Sequence, residues 1–157
     1  MRTFIGTLLG IGLVGAMEQF VLNDSGLIYV IGAFGATAVL VYAAPFSPLA
    51  HPYNVLIGHI ISAAIGVSVF AMIGEANWLS AALAVSLAIF AMQMTGSLHP
   101  PGGASALIAI VSSPQIHALG YFYVLYPVAA GALILLAVAW QVNNAGAARR
   151  WPERWLW

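Results

Sequence analysis

The stretch His99-Pro100-Pro101-Gly102-Gly103-Ala104-Ser105 holds the densest chemistry in this chain. Two prolines in series lack backbone N–H groups and push the residue before them into extended conformation, so Leu98 and His99 cannot easily continue a helix. Two glycines follow, and Ala104 to Ser112 reads as helix again. That order predicts a helix N-terminus with bare backbone donors, and such an end favours an anion. Gly102 and Gly103 leave room for an ion to approach the backbone, Ser105 adds a hydroxyl, and His99 can donate through its ring. A similar glycine-bounded N-terminus is predicted at Gly35-Ala36-Thr37. No fixed positive charge lies near either in sequence. A weakly held small anion therefore fits better than a clamped phosphate, and weak, multi-point binding is what conduction requires.

His59 lies within an apolar run, where an ionisable group is costly and is presumed functional. It is read either as a proton relay or gate, given an unperturbed pKa of about 6.5, or as a neutral ring bonded to a helix carbonyl. His99 stands at the break and is read as functional. His51 and His117 follow helix stops and are read as interfacial. No metal site is expected, because no carboxylate sits close to these histidines and no pair has i, i+3 or i+4 spacing. No cofactor is implied. Asn54, Gln93 and Ser97 are expected to bond backbone groups freed at the breaks. The chain has no cysteine, no His-Glu-x-x-His run and no Gly-x-Ser-x-Gly turn, so an enzyme is not the reading.

The elements that carry these residues are membrane helices. Of 157 residues, 62% are hydrophobic and 5% charged, where a soluble domain carries roughly 25% charged residues. Between Ser25 and Ala148 the sole Asp, Glu, Lys or Arg is Glu75. Net charge is zero, which gives nucleic-acid binding no support. Spans of near the roughly 20 residues that a bilayer needs are predicted at Thr3–Ala16, Leu27–Ala44, Val55–Ile73, Leu79–Thr95 and Tyr121–Val142. The first is read as a retained helix, a signal segment being the alternative. Glu18, Gln19, Asn23 and Asp24 mark a loop, Glu75-Ala76-Asn77 a turn, and Pro127 a kink. Residues Ser97 to Ser112 can just cross as a broken helix. The tail mixes Arg149, Arg150 and Arg154 with Trp151, Trp155 and Trp157, an interfacial anchor. Arg2 and the tail arginines put both termini in the cytoplasm of a cell-membrane protein, which requires an even number of crossings.

An internal repeat fixes the architecture. Gly35-Ala36-Thr37-Ala38-Val39-Leu40 matches Gly103-Ala104-Ser105-Ala106-Leu107-Ile108 by residue type, and Ser47-Pro48-Leu49-Ala50-His51 matches Ser113-Pro114-Gln115-Ile116-His117. The expected fold is all-α: a polytopic membrane protein of about six crossings, built as two inverted three-element repeats with discontinuous helices. Residues 1–157 form one domain, with halves at about 2–73 and 77–143 and a tail at 144–157. Inverted repeats place a transporter's site at mid-membrane, between the halves. The glycine-rich faces suit a homo-oligomer in the lipid bilayer.

The His-Pro-Pro stretch resembles the HPP family of integral membrane proteins. The resemblance extends through Gly32-Ala33-Phe34-Gly35-Ala36, Ser47-Pro48-Leu49-Ala50, Pro52-Tyr53-Asn54-Val55 and Gly58-His59. The family is commonly described with four spans, against the six read here. Its members in cyanobacteria and plant chloroplasts are implicated in nitrite transport. The resemblance thus implies a small inorganic anion, nitrite first, with His99, Gly102, Gly103 and Ser105 as first-choice contacts. Gly35, Thr37 and His59 complete the expected site. The alternative is a non-transporting membrane subunit or sensor that docks a partner protein.

Overall fold

Apolar runs punctuated by proline and glycine become helices whose ends fall at those residues. The computed structural model describes residues 1–22 and 27–153, with side chains described outside 18, 20–22 and 27–31. The described residues are helix and turn, with no strand. Helix α1 is Arg2–Leu22 and α2 is Leu27–Ala38, which widens into a π-helical turn at Val39–Ala43. A short 3-10 turn at Pro48–Ala50 leads into α3, Pro52–Ile73. Pro52 sits in the first turn, where its missing N–H costs nothing, and His51 Nδ1 accepts from the Tyr53 N–H at 3.3 Å. Gly74 ends α3 in the left-handed region, at φ 76°, the conformation glycine supplies at helix C-termini.

Helix α4, Trp78–Met94, starts on a capping box. The Asn77 side chain accepts from the N–H groups of Leu79 and Ser80, and Ser80 Oγ accepts from the Asn77 N–H. Asn77→Ala should lower the thermal stability of the detergent-solubilised protein by about 1 kcal/mol, read from its unfolding midpoint. Helices α5, Pro100–Val111, and α6, Pro114–Ala118, follow. A π-helical segment, Val124–Ala129, precedes α7, Ala130–Asn144.

Several expected boundaries move. Helix α1 continues through Glu18 and Gln19, because these are good helix formers and polarity alone stops nothing. The rest of the expected loop, Asn23 and Asp24, lies outside the described residues. Gly35 and Thr37 lie inside α2 rather than at an N-terminus, since no proline or capping residue directly precedes them. Helix α5 starts at Pro100 rather than Ala104, because prolines fit a first turn as well as they stop a previous helix. Pro127 kinks its helix as expected, because Tyr126 is extended, at φ −139° and ψ 123°, as the residue before a proline prefers. Trp151 is buried at 3% exposure instead of lying at an interface. Asn144 holds it, donating through Nδ2 to the Trp151 carbonyl and accepting the Trp151 N–H at 2.9 Å. The expected anchors Arg154, Trp155 and Trp157 lie outside the described residues.

Helix α3 packs on α4 and α5, while α7 packs on α1, and α2 bridges α1 to α5. Helix α3 thus packs on the helices that follow it, and α7 returns to the first helix. At one end of the bundle Arg2 donates to the Gly146 carbonyl at 3.0 Å, Thr3 to that of Tyr42, and Tyr53 to that of Thr95. At the other end Ser68 and Tyr121 share a hydrogen bond at 2.9 Å, and Phe70 stacks on His117 with ring centroids 3.7 Å apart. Small residues let the helices approach, as membrane packing requires. A Cβ on Gly58 would meet the Ser97 carbonyl at 2.7 Å, and one on Gly102 would meet that of Gly58 at 2.9 Å. Among the described residues, α3 and the stretch Val124–Asn144 are long and apolar enough to cross a bilayer, and shorter apolar helices surround them.

Candidate functional site

Where α2, α3 and α5 meet, four polar side chains join in one buried hydrogen-bonded chain. His99 caps α5 in extended conformation, at φ −139° and ψ 103°, which the two following prolines enforce. Its Nδ1 donates to the Leu49 carbonyl at 2.8 Å, and its Nε2 shares a hydrogen bond with Thr37 Oγ1 at 3.0 Å. The same Thr37 oxygen lies 2.8 Å from His59 Nε2. His59 Nδ1 in turn lies 2.8 Å from Ser105 Oγ. Thr37, His59 and His99 are 0% exposed and Ser105 is 1% exposed. The two imidazoles sit with centroids 5.0 Å apart. Phe34 packs against His59, ring centroids 5.4 Å apart, and the Tyr123 hydroxyl donates to the Ser105 carbonyl at 3.1 Å. His59 lies seven residues beyond Pro52 along α3, about 10 Å of helix rise.

The structure thus brings together Thr37, His59, His99 and Ser105 and sets the three glycines apart from their polar atoms. Gly102 meets α3 backbone, and a Cβ there would also come within 3.0 Å of Ser62 Oγ. Gly103, itself buried, lines an apolar groove of about 440 Å³ with Val85, Ile89 and Leu107. A Cβ on Gly35 would meet nothing within 4 Å. Bare donors at the α5 N-terminus are also corrected. Its first two positions are prolines without N–H groups, and the Gly102 N–H donates to the His99 carbonyl at 2.8 Å. The site's chemistry is therefore that of side chains.

His59 bonds hydroxyls through both ring nitrogens, which replaces the helix-carbonyl alternative. Asn54 does bond a backbone group freed at the break, donating to the Leu98 carbonyl at 3.0 Å. Ser97 pairs with the Thr95 hydroxyl at 2.7 Å, and Gln93 is exposed. His51 and His117 are half-buried, and His117 donates to the Ile110 carbonyl. Among the described residues, no three His, Cys, Asp or Glu side chains gather as a metal would need.

Sequence reasoning missed four participants. The Leu49 carbonyl carries no side-chain signal. Tyr123 reads from the sequence as an aromatic at the membrane interface, and Phe34 as one residue of the family-like run Gly32–Ala36. Ser62, one turn beyond His59, is fully buried and its hydroxyl has no partner. A helical i, i+3 spacing from His59 was the signal that could have found it.

Comparison with known proteins adds a family. Residues 1–152 match the family described as HPP, transmembrane region. A transmembrane protein of Dictyostelium discoideum is 40% identical over 156 residues, covering 98% of this chain and 50% of the relative. A second transmembrane protein of that organism is 39% identical over 156 residues, covering 98% of this chain and 54% of its own length. The chain spans about half the length of these curated relatives. No solved structure matches.

Proposed function

This chain belongs to the HPP transmembrane family, and from that premise we propose that it carries a small inorganic anion, nitrite first, across the membrane. It is a membrane protein by family and by composition. The observation that carries the transport reading is the buried chain Thr37–His59–His99–Ser105. Such a polar chain inside an apolar bundle costs free energy unless every member is satisfied, and intramembrane ionisable groups mark ion pathways.

The internal repeat adds support. Thr37 and Ser105 occupy matching positions in the two halves, and their hydroxyls bond the two nitrogens of the same imidazole. In this reading the halves are inverted repeats, six helical legs cross the bilayer, and the site lies where the halves meet. The contact between Arg2 and Gly146 at one end of the bundle supports an even number of crossings. The arginines assign that end to the cytoplasm. The protein works as a homo-oligomer in the cell membrane, without a cofactor or catalytic chemistry. An arriving anion replaces hydrogen bonds internal to the cluster with bonds from Thr37, Ser105 and the imidazoles. Gly35, Gly102 and Gly103 keep the flanking helices slim.

Uptake by proteoliposomes of the purified chain tests this, with nitrite, nitrate, formate and chloride offered separately. Nitrite uptake should exceed that of protein-free vesicles by about tenfold or more, a barrier difference of about 1.4 kcal/mol. Equal rates for every anion with and without protein would overturn transport and favour a partner-docking subunit.

A further inference from the structure

With both rings neutral, one arrangement of protons satisfies the four contacts from Ser105 to Leu49. The Leu49 carbonyl can only accept, so His99 Nδ1 carries hydrogen and Nε2 is bare. Thr37 must then donate its single hydroxyl proton to His99 Nε2. With that proton committed, Thr37 Oγ1 can only accept from His59 Nε2, which carries hydrogen. His59 Nδ1 is therefore bare and accepts from the Ser105 hydroxyl. The four bonds run in one sense, from Ser105 to Leu49.

This arrangement keeps one acceptor in reserve. Thr37 Oγ1 also lies 3.2 Å from the Ala33 carbonyl. If His99 Nε2 gains a proton, it donates to Thr37 Oγ1, and the Thr37 hydroxyl turns to Ala33. His59 still donates to Thr37, and Ser105 still donates to His59. No hydrogen bond is lost and one is gained. A second proton finds no such place: His59 Nδ1 already faces the Ser105 hydroxyl, and the rings are 5.0 Å apart, so two cations would repel.

Among the described residues, the surroundings offer the resulting imidazolium no counter-charge. The two rings face each other with centroids 5.0 Å apart, and the Tyr123 phenol donates to the Ser105 carbonyl. Leu49 beyond α2, Met92 on α4 and Phe34 on α2 present no ionisable group. Glu75, Glu153, Arg2, Arg149 and Arg150 are exposed, at the turn after α3 or at the chain ends. A buried cation in apolar surroundings needs an anion beside it. On the same face of α3 as His59, the buried Ser62 hydroxyl is an unused donor for one.

We propose that the Thr37–His59–His99–Ser105 cluster is a one-proton site, so that the anion and a proton cross together as an electroneutral pair. This rests on the transport reading above. A hydronium ion gives its proton to His99 Nε2 on one side and leaves as water. The monovalent anion joins the imidazolium, and both are released to water on the other side. No electron moves, and no covalent bond is altered other than N–H and O–H.

Two measurements on the intact protein test it. In 15N-histidine spectra, His59 should carry hydrogen on Nε2 and His99 on Nδ1 at neutral pH. Acidification should place a second ring proton on one of the two imidazoles, that of His99, and on no more than one. Proteoliposomes with a lumenal pH dye and clamped potential supply the second readout. One proton should enter per nitrite, and uptake should ignore the imposed potential. Nitrite uptake that follows the potential without acidifying the lumen would overturn the coupling and leave transport standing. Rings that stay neutral throughout, or that both protonate, would overturn the one-proton site whatever the flux. A cluster that takes its single proton while no anion crosses would overturn transport, and with it the pairing. His99→Gln, if it still transports, should give uptake that responds to potential and is flat with pH.

Discussion

Thr37→Val should uncouple the two imidazoles, with the largest effect of any single hydroxyl removal in the chain. Valine keeps the shape of threonine and takes away the oxygen that both His59 Nε2 and His99 Nε2 contact. Each nitrogen is then buried without a partner, and a buried polar group so stranded costs about 1–3 kcal/mol. Two such groups put the expected loss at about 2–6 kcal/mol, a large share of a marginal total. Thr37→Ser keeps the oxygen and should restore most of it. The check is the unfolding midpoint of both variants in one detergent, alongside nitrite uptake by the same preparations. A valine variant as stable as the parent would mean that the hydroxyl does not hold the rings together.

Gly102→Ala and Gly103→Ala should move stability in opposite directions, although the residues are adjacent and identical. A methyl on Gly102 runs into the Gly58 carbonyl at 2.9 Å and Ser62 Oγ at 3.0 Å. Neither the α3 backbone nor a packed hydroxyl yields easily, so overpacking should cost about 1–3 kcal/mol. It also wedges α5 from α3, and the His59–Ser105 bond spans that seam. Uptake should fall with it. A methyl on Gly103 meets nothing nearer than Val85 at 3.9 Å and gains about 0.5–1 kcal/mol from helix propensity. Thermal unfolding of both variants decides the matter. Equal destabilisation would contradict the packing described for this seam.

That pair also marks the limit of reading the chain unaided. A glycine in a sequence announces room without saying who uses it. Gly102 and Gly103 read alike, as a cradle for an ion, but one fits against a neighbouring helix and the other lines an apolar groove. The prolines were legible as a stop and misread as to where the next helix starts, because one residue type serves both purposes. Glu18 and Gln19 were misread because polarity was taken for a turn. Thr37, His59, His99 and Ser105 could each be named from the sequence, and the repeat already paired Thr37 with Ser105. That the four form one chain depends on α2 crossing α5 beside α3, a non-local fact. The Leu49 carbonyl, which sets the sense of the whole chain, is backbone and leaves no mark in composition.

The contact between Arg2 and Gly146 bears on the order in which the chain can be written. Arg2 and Gly146 meet at one end of the bundle, and the turn at Gly74–Asn77 joins α3 to α4 at the opposite end. A short peptide joining Gly146 to Arg2, with the chain opened at that turn, would yield a circular permutant that begins with α4. Its helices could keep the packing among α1 to α7, because their covalent order is not what holds them together.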